Sequence, residues 1–261
     1  MLYTLHPKRD QKMKPSPPTT TKTTALLGAL AALWATLATA QQPPPPGIFT
    51  LGAVKMACPP AHVMAARETT APPGFGTADD LVGLVLGAIP GATAEAVDYP
   101  AAGGALYAQS VAAGIAALLA RLTTFSSQCP GTRVVLHGYS QGGQVVDDVL
   151  CGGPDGASLP AGVGVGGLLQ PAVAAVVAAA VMMGSPRHNE GIAFNRGNAT
   201  EPGFAARAAN FTCPTFADRI QSYCDDPDPF CAKGNSTAYH QMYGKVYGHQ
   251  ALQFVLDRLS R

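Results

Sequence analysis

Charged side chains are scarce in this sequence: Asp, Glu, Lys and Arg make up only 13% of its 261 residues. Five of the 17 basic residues fall in the first forty positions. The rest of the chain carries 12 basic and 15 acidic residues, a net charge of −3. Because nucleic-acid-binding proteins concentrate Lys and Arg on one face, this composition excludes that class. It also offers no basic cluster for binding anionic lipid.

Metal-binding spacing is missing as well. The cysteines show neither the C-x-x-C spacing nor the flanking histidines of a zinc site. The sequence implies neither a metal nor an organic cofactor. An even number of cysteines in a secreted chain instead indicates disulfides. Spacing alone does not choose their pairing, although Cys224 and Cys231 are close enough to enclose a small loop. The six are Cys58, Cys129, Cys151, Cys213, Cys224 and Cys231.

Apolar runs of membrane-spanning length are also missing. The longest run covers residues 25–40 (ALLGALAALWATLATA) and is shorter than the roughly 20 residues that a spanning helix needs. Basic residues precede it, and it ends in Ala38-Thr39-Ala40, an A-x-A cleavage site. We therefore predict a secretory signal peptide over 1–40 rather than a transmembrane anchor. After its removal we expect a secreted chain that does not associate with the membrane.

The remaining chain divides into two parts of different composition. Residues 41–57 begin with QQPPPPG and form a Pro-rich linker, since polyproline is extended and stiff. Residues 58–261 form one domain, large enough to bury a core. Three N-x-S/T sequons in it agree with a secretory route and mark candidate N-glycosylation sites. They begin at Asn198, Asn210 and Asn235.

Within this domain, strand patterns alternate with segments of helical spacing. The strand patterns cover 61–66, 93–99, 132–137, 178–183 and 219–223. The helical patterns cover 77–89, 104–125, 144–150, 172–177 and 250–259, and the segments 152–167, 187–214 and 225–234 have the composition of loops. This alternation predicts a parallel sheet covered by helices on both faces. We expect an α/β fold of about five strands, with its ligand site beyond the carboxyl ends of the strands.

The segment 138–143, Gly-Tyr-Ser-Gln-Gly-Gly, fits the pattern G-x-S-x-G. A predicted strand precedes it and a predicted helix follows, so the serine lies on a sharp turn between them. This is the context of a nucleophile elbow, whereas the pattern alone would also fit an ordinary Gly-rich turn. The turn predicts Ser140 as a nucleophile. It also places the backbone N–H of Gln141 at a helix N-terminus, where it can face an oxyanion.

A serine nucleophile needs a base, and the acid and then the histidine follow the serine along such chains. Among the histidines after Ser140, His188 lies in a polar loop and His249 at the start of the terminal helix. His240 follows the last predicted strand between two tyrosines, and we favour it as the base. His62 and His137 lie in or beside strands, where we expect core or edge residues.

The acid is less determined by spacing. Three aspartates follow the last predicted strand, and a Cys224–Cys231 disulfide would stiffen their loop. They are Asp225, Asp226 and Asp228. The residues alone leave all three open.

Four segments together resemble the cutinase and acetylxylan esterase family of fungal secreted serine esterases, carbohydrate esterase family five. They occur in order: the Ala66–Thr70 loop (ARETT), the elbow at 138–143, the segment 223–231 (YCDDPDPFC) and the segment 240–244 (HQMYG). The resemblance extends from about residue 58 to the C-terminus. It implies an α/β-hydrolase-like three-layer sandwich without a large lid, and hence a serine fairly open to solvent.

The resemblance also implies roles for residues. It makes Asp228 the acid, His240 the base, and the Thr69 hydroxyl with the Gln141 N–H the oxyanion hole. Asp225 and Asp226 then take surface roles in the loop. It further implies disulfides between Cys58 and Cys129, Cys151 and Cys213, and Cys224 and Cys231.

Two branches of that family differ in substrate. The polar and aromatic neighbours of His240, namely Tyr239, Gln241 and Tyr243, favour a sugar substrate and the acetylxylan esterase branch. Met242 is more apolar and keeps a cutinase as the alternative. We expect a monomer acting on a plant cell-wall polysaccharide or polyester. An inactive binding or effector protein on this fold is the third hypothesis, against which the complete Ser, Asp and His set argues.

Overall fold

The computed structural model describes residues 57–153 and 169–261, and the statements below concern these residues. The predicted signal peptide over 1–40 lies outside them. So do nearly all of the Pro-rich linker over 41–57 and most of the Gly-rich loop over 152–167.

Six strands form one parallel sheet in the order β2-β1-β3-β4-β6-β5. They are β1 (Ala61–Ala66), β2 (Thr93–Ala96), β3 (Arg133–Tyr139), β4 (Val177–Met183), β5 (Asn195–Arg196) and β6 (Ile220–Tyr223). The three central strands are buried on both faces, which explains their nearly continuous apolar sequences. The predicted parallel α/β fold is confirmed. The strand that was not predicted is β5. It has only two residues, too few to show a strand pattern, and lies within the predicted loop over 187–214.

Helices cover both faces of this sheet. They are α1 (Asp79–Ala88), α2 (Tyr107–Gln128), α3 (Gln141–Cys151), α4 (Pro171–Val176), α5 (Thr237–His240) and α6 (Tyr243–Leu259). Alternate residues of β3 enter different cores: Leu136 packs with α2 and α3, whereas Val135 packs with α1 and α6. The result is a three-layer sandwich. The helical segment over 104–128 is long and apolar enough to span a membrane, but one side of it packs into the first of these cores.

Several predicted boundaries differ from the structure by up to three residues, and one differs by seven. Strand β2 ends at Ala96 rather than residue 99. Helix α6 begins at Tyr243, seven residues before the predicted start at residue 250. Its first two turns contain Gly244 and Gly248, which weaken a helical sequence pattern. A Cβ at these glycines would come within 2.5 Å of Asp80 and 2.9 Å of Leu84, so they permit close packing of α6 on α1.

Three disulfides join the pairs that the resemblance implied, Cys58–Cys129, Cys151–Cys213 and Cys224–Cys231. The first connects the chain before β1 to the end of α2. The second connects the end of α3 to the segment before β6. The third joins two cysteines seven positions apart and so closes a short loop directly after β6, at the carboxyl edge of the sheet.

Candidate active site

Ser140 lies on the turn between β3 and α3, with a φ of 51° that is unusual for a residue other than glycine. Its backbone N–H donates to the carbonyl of Met183 at 2.8 Å. The flanking glycines are required by close backbone contacts. A Cβ at Gly138 would lie 2.3 Å from the carbonyl oxygen of Gly142, and one at Gly142 would lie 2.0 Å from that of Ala66. The turn therefore has the geometry of a nucleophile elbow.

The structure brings His240 and Asp228 together. Nδ1 of His240, on α5, lies 2.6 Å from Oδ2 of Asp228, and both side chains are buried. The other carboxylate oxygen accepts the backbone N–H groups of Phe230 at 2.7 Å and Cys231 at 3.2 Å. Burial alone would raise the pKa of Asp228, but the hydrogen bond and charge of His240 and these two N–H groups hold that pKa below its ordinary value. The carboxylate is thus ionised, and it orients the imidazole with Nδ1 as the donor.

The predicted oxyanion residues are also adjacent. The Gln141 side chain is fully buried, and its Nε2 donates to Thr69 Oγ1 at 3.2 Å and to the carbonyl of Ala102 at 2.9 Å. Its Oε1 accepts the hydroxyl of Ser110 at 2.8 Å. Because Nε2 occupies a lone pair of Thr69 Oγ1, the hydroxyl hydrogen of Thr69 is left to donate into the site. The sequence predicts only the role of the Gln141 backbone N–H, because the partners of its side chain are distant along the chain.

Ser140 and His240 line one pocket of about 410 Å³ beyond the carboxyl ends of the strands. Ser140 is only 9% exposed, so the expectation of a serine fairly open to solvent is wrong for this residue, although it lines the pocket. Among the described residues, Ser140 makes no side-chain hydrogen bond to His240, a contact that often tightens only when substrate binds. The remaining lining residues are Glu68, Thr69, Thr70, Gly103, Gly104, Tyr107, Phe204, Phe230, Thr237 and Gln241.

The other histidines within 57–153 and 169–261 lie outside this pocket. His188 is buried, with Nε2 3.2 Å from the carbonyl oxygen of Ala199, and His249 is exposed on α6. His62 and His137 are buried strand residues, as expected. Within 57–153 and 169–261, no group of three His, Cys, Asp or Glu side chains is placed to hold a metal ion.

One prediction about the acid loop, the segment 224–231 that the third disulfide closes, is wrong. Asp226 is exposed, but Asp225 is only 1% exposed rather than at the surface. Its carboxylate accepts the hydroxyls of Tyr239 at 2.7 Å and Tyr247 at 2.9 Å. Tyr239 immediately precedes His240, so Asp225 connects the acid loop to the helix that carries the histidine.

Comparison with known proteins agrees with this geometry. A family model described as Cutinase matches residues 57–259. The chain belongs to the cutinase family. It is 46% identical over 215 residues to Cutinase 11 of Verticillium dahliae, covering 79% of this chain and 71% of that protein. It is also 46% identical over 212 residues to Acetylxylan esterase 2 of Talaromyces purpureogenus, covering 79% and 89%.

Solved structures show the same relationship. The cutinase-family domain matches an acetylxylan esterase structure with a TM-score of 0.73 and 46% identity, covering 78% of this chain and all of that one. The catalytic core domain of acetyl xylan esterase from Trichoderma reesei gives the same TM-score at 44% identity, with 77% and 100% covered. A cutinase-like protein from Cryptococcus sp. has a TM-score of 0.62 at 21% identity, a likeness of fold alone.

Proposed function

We propose that this chain is a serine esterase that removes acetyl groups from acetylated xylan. The observation that carries the proposal is the Asp228–His240 pair, 2.6 Å apart, whose histidine lines one pocket with a serine on a nucleophile elbow. Membership of the cutinase family and 45–46% identity to two acetylxylan esterases support the reaction and the substrate.

The residues have the following roles in this proposal. Ser140 Oγ attacks the ester carbonyl while His240 Nε2 takes its proton, and Asp228 stabilises the resulting imidazolium. The Thr69 hydroxyl and the Gln141 N–H donate to the tetrahedral oxyanion. His240 then gives the proton to the departing sugar oxygen, which leaves an acetyl ester on Ser140. A water molecule, deprotonated by His240, hydrolyses that ester and releases acetate.

The lining of the pocket favours a sugar ester over a waxy polyester. Gln241 lines the pocket, together with Glu68, Thr70 and Thr237. Met242, whose apolar side chain favoured the cutinase hypothesis, is 42% exposed but does not line the pocket. A cutinase remains the second candidate, because two exposed apolar rings, Phe204 and Phe230, lie at the same pocket and Cutinase 11 is 46% identical.

Parallel assays of the purified enzyme separate these functions. We expect acetate release from acetylated xylan and from ethyl acetate, slower hydrolysis of ethyl hexanoate, and none of these activities in Ser140→Ala. Preference for ethyl hexanoate, with monomers released from cutin, would assign a cutinase instead. If the correctly folded wild type hydrolyses no ester, the chain is an inactive binding protein.

We propose that the enzyme is secreted and monomeric. Secretion is supported by the predicted signal peptide, by the three disulfides and by the exposed positions of Asn198, Asn210 and Asn235. Secretion from a eukaryotic host should yield a protein that begins near Gln41. Mass spectrometry before and after deglycosylation would identify the occupied asparagines, and light scattering would give the oligomeric state.

A further inference from the structure

Phe204 is the most exposed of the large apolar side chains in the described residues, with 61% of its surface accessible. It also lines the pocket that contains Ser140. Single exposed apolar side chains are common, but Phe204 lines this pocket together with a second exposed ring, Phe230. Exposed apolar groups gathered at one pocket are a feature of binding surfaces.

The backbone around Phe204 is held firmly, so its exposure does not come from a loose loop. The N–H of Phe204 donates to the carbonyl of Phe230 at 3.2 Å, and its neighbours pair with the segment after β4. The N–H of Gly203 donates to the backbone carbonyl of His188 at 3.0 Å, and the N–H of Ala205 donates to that of Pro186 at 3.2 Å. These bonds fix the position of the Phe204 side chain relative to the acid loop.

The ring itself is held by Tyr107. The two ring centroids are 5.3 Å apart at an interplanar angle of 71°, an edge-to-face contact. The Tyr107 hydroxyl in turn donates to Gln144 Oε1 at 2.8 Å, on the helix that follows Ser140. The flat ring is therefore held at a defined orientation in the pocket that Ser140 lines.

Polar groups lie in the same pocket. Glu68, Thr70, Thr237 and Gln241 bring carboxylate, hydroxyl and amide groups to its lining. A pyranose ring has an apolar face of C–H bonds and a rim of hydroxyls, so it needs a flat aromatic surface and polar partners together. Glu68, Thr70 and the amide oxygen of Gln241 already hydrogen bond within the protein. The hydroxyl of Thr237 and the amide N–H groups of Gln241 can bond sugar hydroxyls, whereas an extended acyl chain would use only the aromatic surface.

We propose that Phe204 is a stacking surface for the pyranose ring that carries the scissile acetyl group, and so determines specificity for sugar esters. This inference rests on the proposed function and goes beyond it, because it assigns the recognition of the alcohol part of the substrate to one residue. The contact forms with substrate and transition state alike, so its loss should raise KM and leave kcat nearly unchanged.

The test compares Phe204→Ala, Phe204→Leu and Phe204→Tyr on three substrates. Monoacetylated methyl xyloside carries a sugar ring, ethyl acetate carries none, and ethyl hexanoate carries a longer acyl chain. For the xyloside we expect Phe204→Ala to lower kcat/KM by about three- to tenfold through KM, as for a lost aromatic contact. Phe204→Tyr should retain the wild-type value, and Phe204→Leu, apolar but not flat, should resemble Phe204→Ala. Leu86→Ala, an exposed position on α1 outside the pocket, is the matched control.

Ethyl acetate kinetics should change less than twofold in every variant. Equal losses on ethyl acetate and the xyloside would show a structural role and overturn the inference. A selective loss on ethyl hexanoate would make Phe204 an acyl contact and overturn it too. Unchanged xyloside kinetics in Phe204→Ala would refute stacking while the proposed function stands. If the wild type fails on all three substrates, the proposed function itself is refuted.

Discussion

The hydroxyl of Tyr139 donates to the backbone carbonyl of His240 at 2.7 Å. Tyr139 immediately precedes the nucleophile, so one buried side chain joins the elbow to the residue that we assign as the base, 101 positions later. The same hydroxyl accepts the backbone N–H of Tyr243 at 3.3 Å, at the start of α6. Strand β3 and helices α5 and α6 are thereby linked at the point where Ser140 and His240 must approach each other.

Replacing Tyr139 with Phe should therefore impair catalysis more than binding. The change leaves the buried carbonyl of His240 without its partner, which costs about 1–3 kcal/mol, and loosens the histidine. We expect kcat on ethyl acetate to fall about tenfold while KM stays within twofold. Tyr223→Phe is the control, since it removes another buried hydroxyl, bonded to Gln221 rather than to the site. If Tyr139→Phe and Tyr223→Phe lose activity equally, the Tyr139 hydroxyl does not position His240.

The turn at Ser140 is a feature that a short segment determines. Gly138 and Gly142 flank Ser140 because backbone contacts within and beside one turn exclude a Cβ, so the elbow is visible as a local pattern. The prediction that Asp225 lies at the surface is wrong because its two tyrosine partners lie on α5 and α6, outside the acid loop. No local pattern indicates that these helices place Tyr239 and Tyr247 over the acid loop.

The predicted start of α6, seven residues after the observed one, has a similar cause. Helix propensity penalises Gly244 and Gly248, and only the tertiary contact with α1 explains their presence in a helix. The assignment of Asp228 among three nearby aspartates likewise came from a family resemblance rather than from spacing. Long-range packing thus decided what the residues alone left open.

A double-mutant cycle on Thr69 and Gln141 tests the oxyanion hole. Thr69→Val removes the hydroxyl donor, and we expect kcat to fall by about 10²–10³. Gln141→Ala keeps the backbone N–H but removes the side chain that orients Thr69, so a smaller fall in kcat should result. Because the side chain acts through Thr69, the double variant should lose less than the product of the single losses. Thr124→Val, at an exposed position on α2 outside the pocket, serves as the control.

Multiplicative losses would contradict the proposed orientation of Thr69 by Gln141. Thr69→Ser should restore most of the activity, since it returns the hydroxyl without the methyl group. Thermal unfolding of each variant would show that the fold is retained.

Removal of the Cys58–Cys129 disulfide should mainly lower stability, whereas removal of the Cys224–Cys231 disulfide should also lower kcat. Chain-entropy arguments give about 2.5 kcal/mol for the Cys224–Cys231 loop and about 4.4 kcal/mol for the much longer Cys58–Cys129 loop. Cys58→Ala with Cys129→Ala should lower the free energy of unfolding more and leave kcat close to wild type. Cys224→Ala with Cys231→Ala should destabilise less but lower kcat, because Cys231 N–H donates to Asp228 at 3.2 Å. Denaturant unfolding and ethyl acetate kinetics check both expectations, and the reverse order of effects on kcat would contradict the role of the short loop.

His137 should make the domain acid-sensitive. Burial lowers the pKa of His137 from 6.5 to about 4, opposed only in part by the bond between its Nδ1 and the Val181 carbonyl at 2.9 Å. Between these two pH values the unfolded chain binds a proton at this residue and the folded chain does not. Stability is therefore lost as pH falls from 6.5 to about 4, by up to about 3 kcal/mol, and none of this loss occurs above 6.5.

The variant His137→Asn keeps a donor near the Val181 carbonyl and removes the titrating group. Burial also lowers the pKa values of His62 and His188, so the wild-type curve contains their contributions too, and the difference between wild type and variant isolates His137. We expect urea unfolding to show a shallower fall in stability from about pH 7 to about pH 4 in His137→Asn. His249→Asn, at an exposed position on α6, should follow the wild-type curve. Parallel curves for wild type and His137→Asn would show that this buried imidazole does not set the acid limit, because its protonation would then cost the same in the folded and unfolded chain.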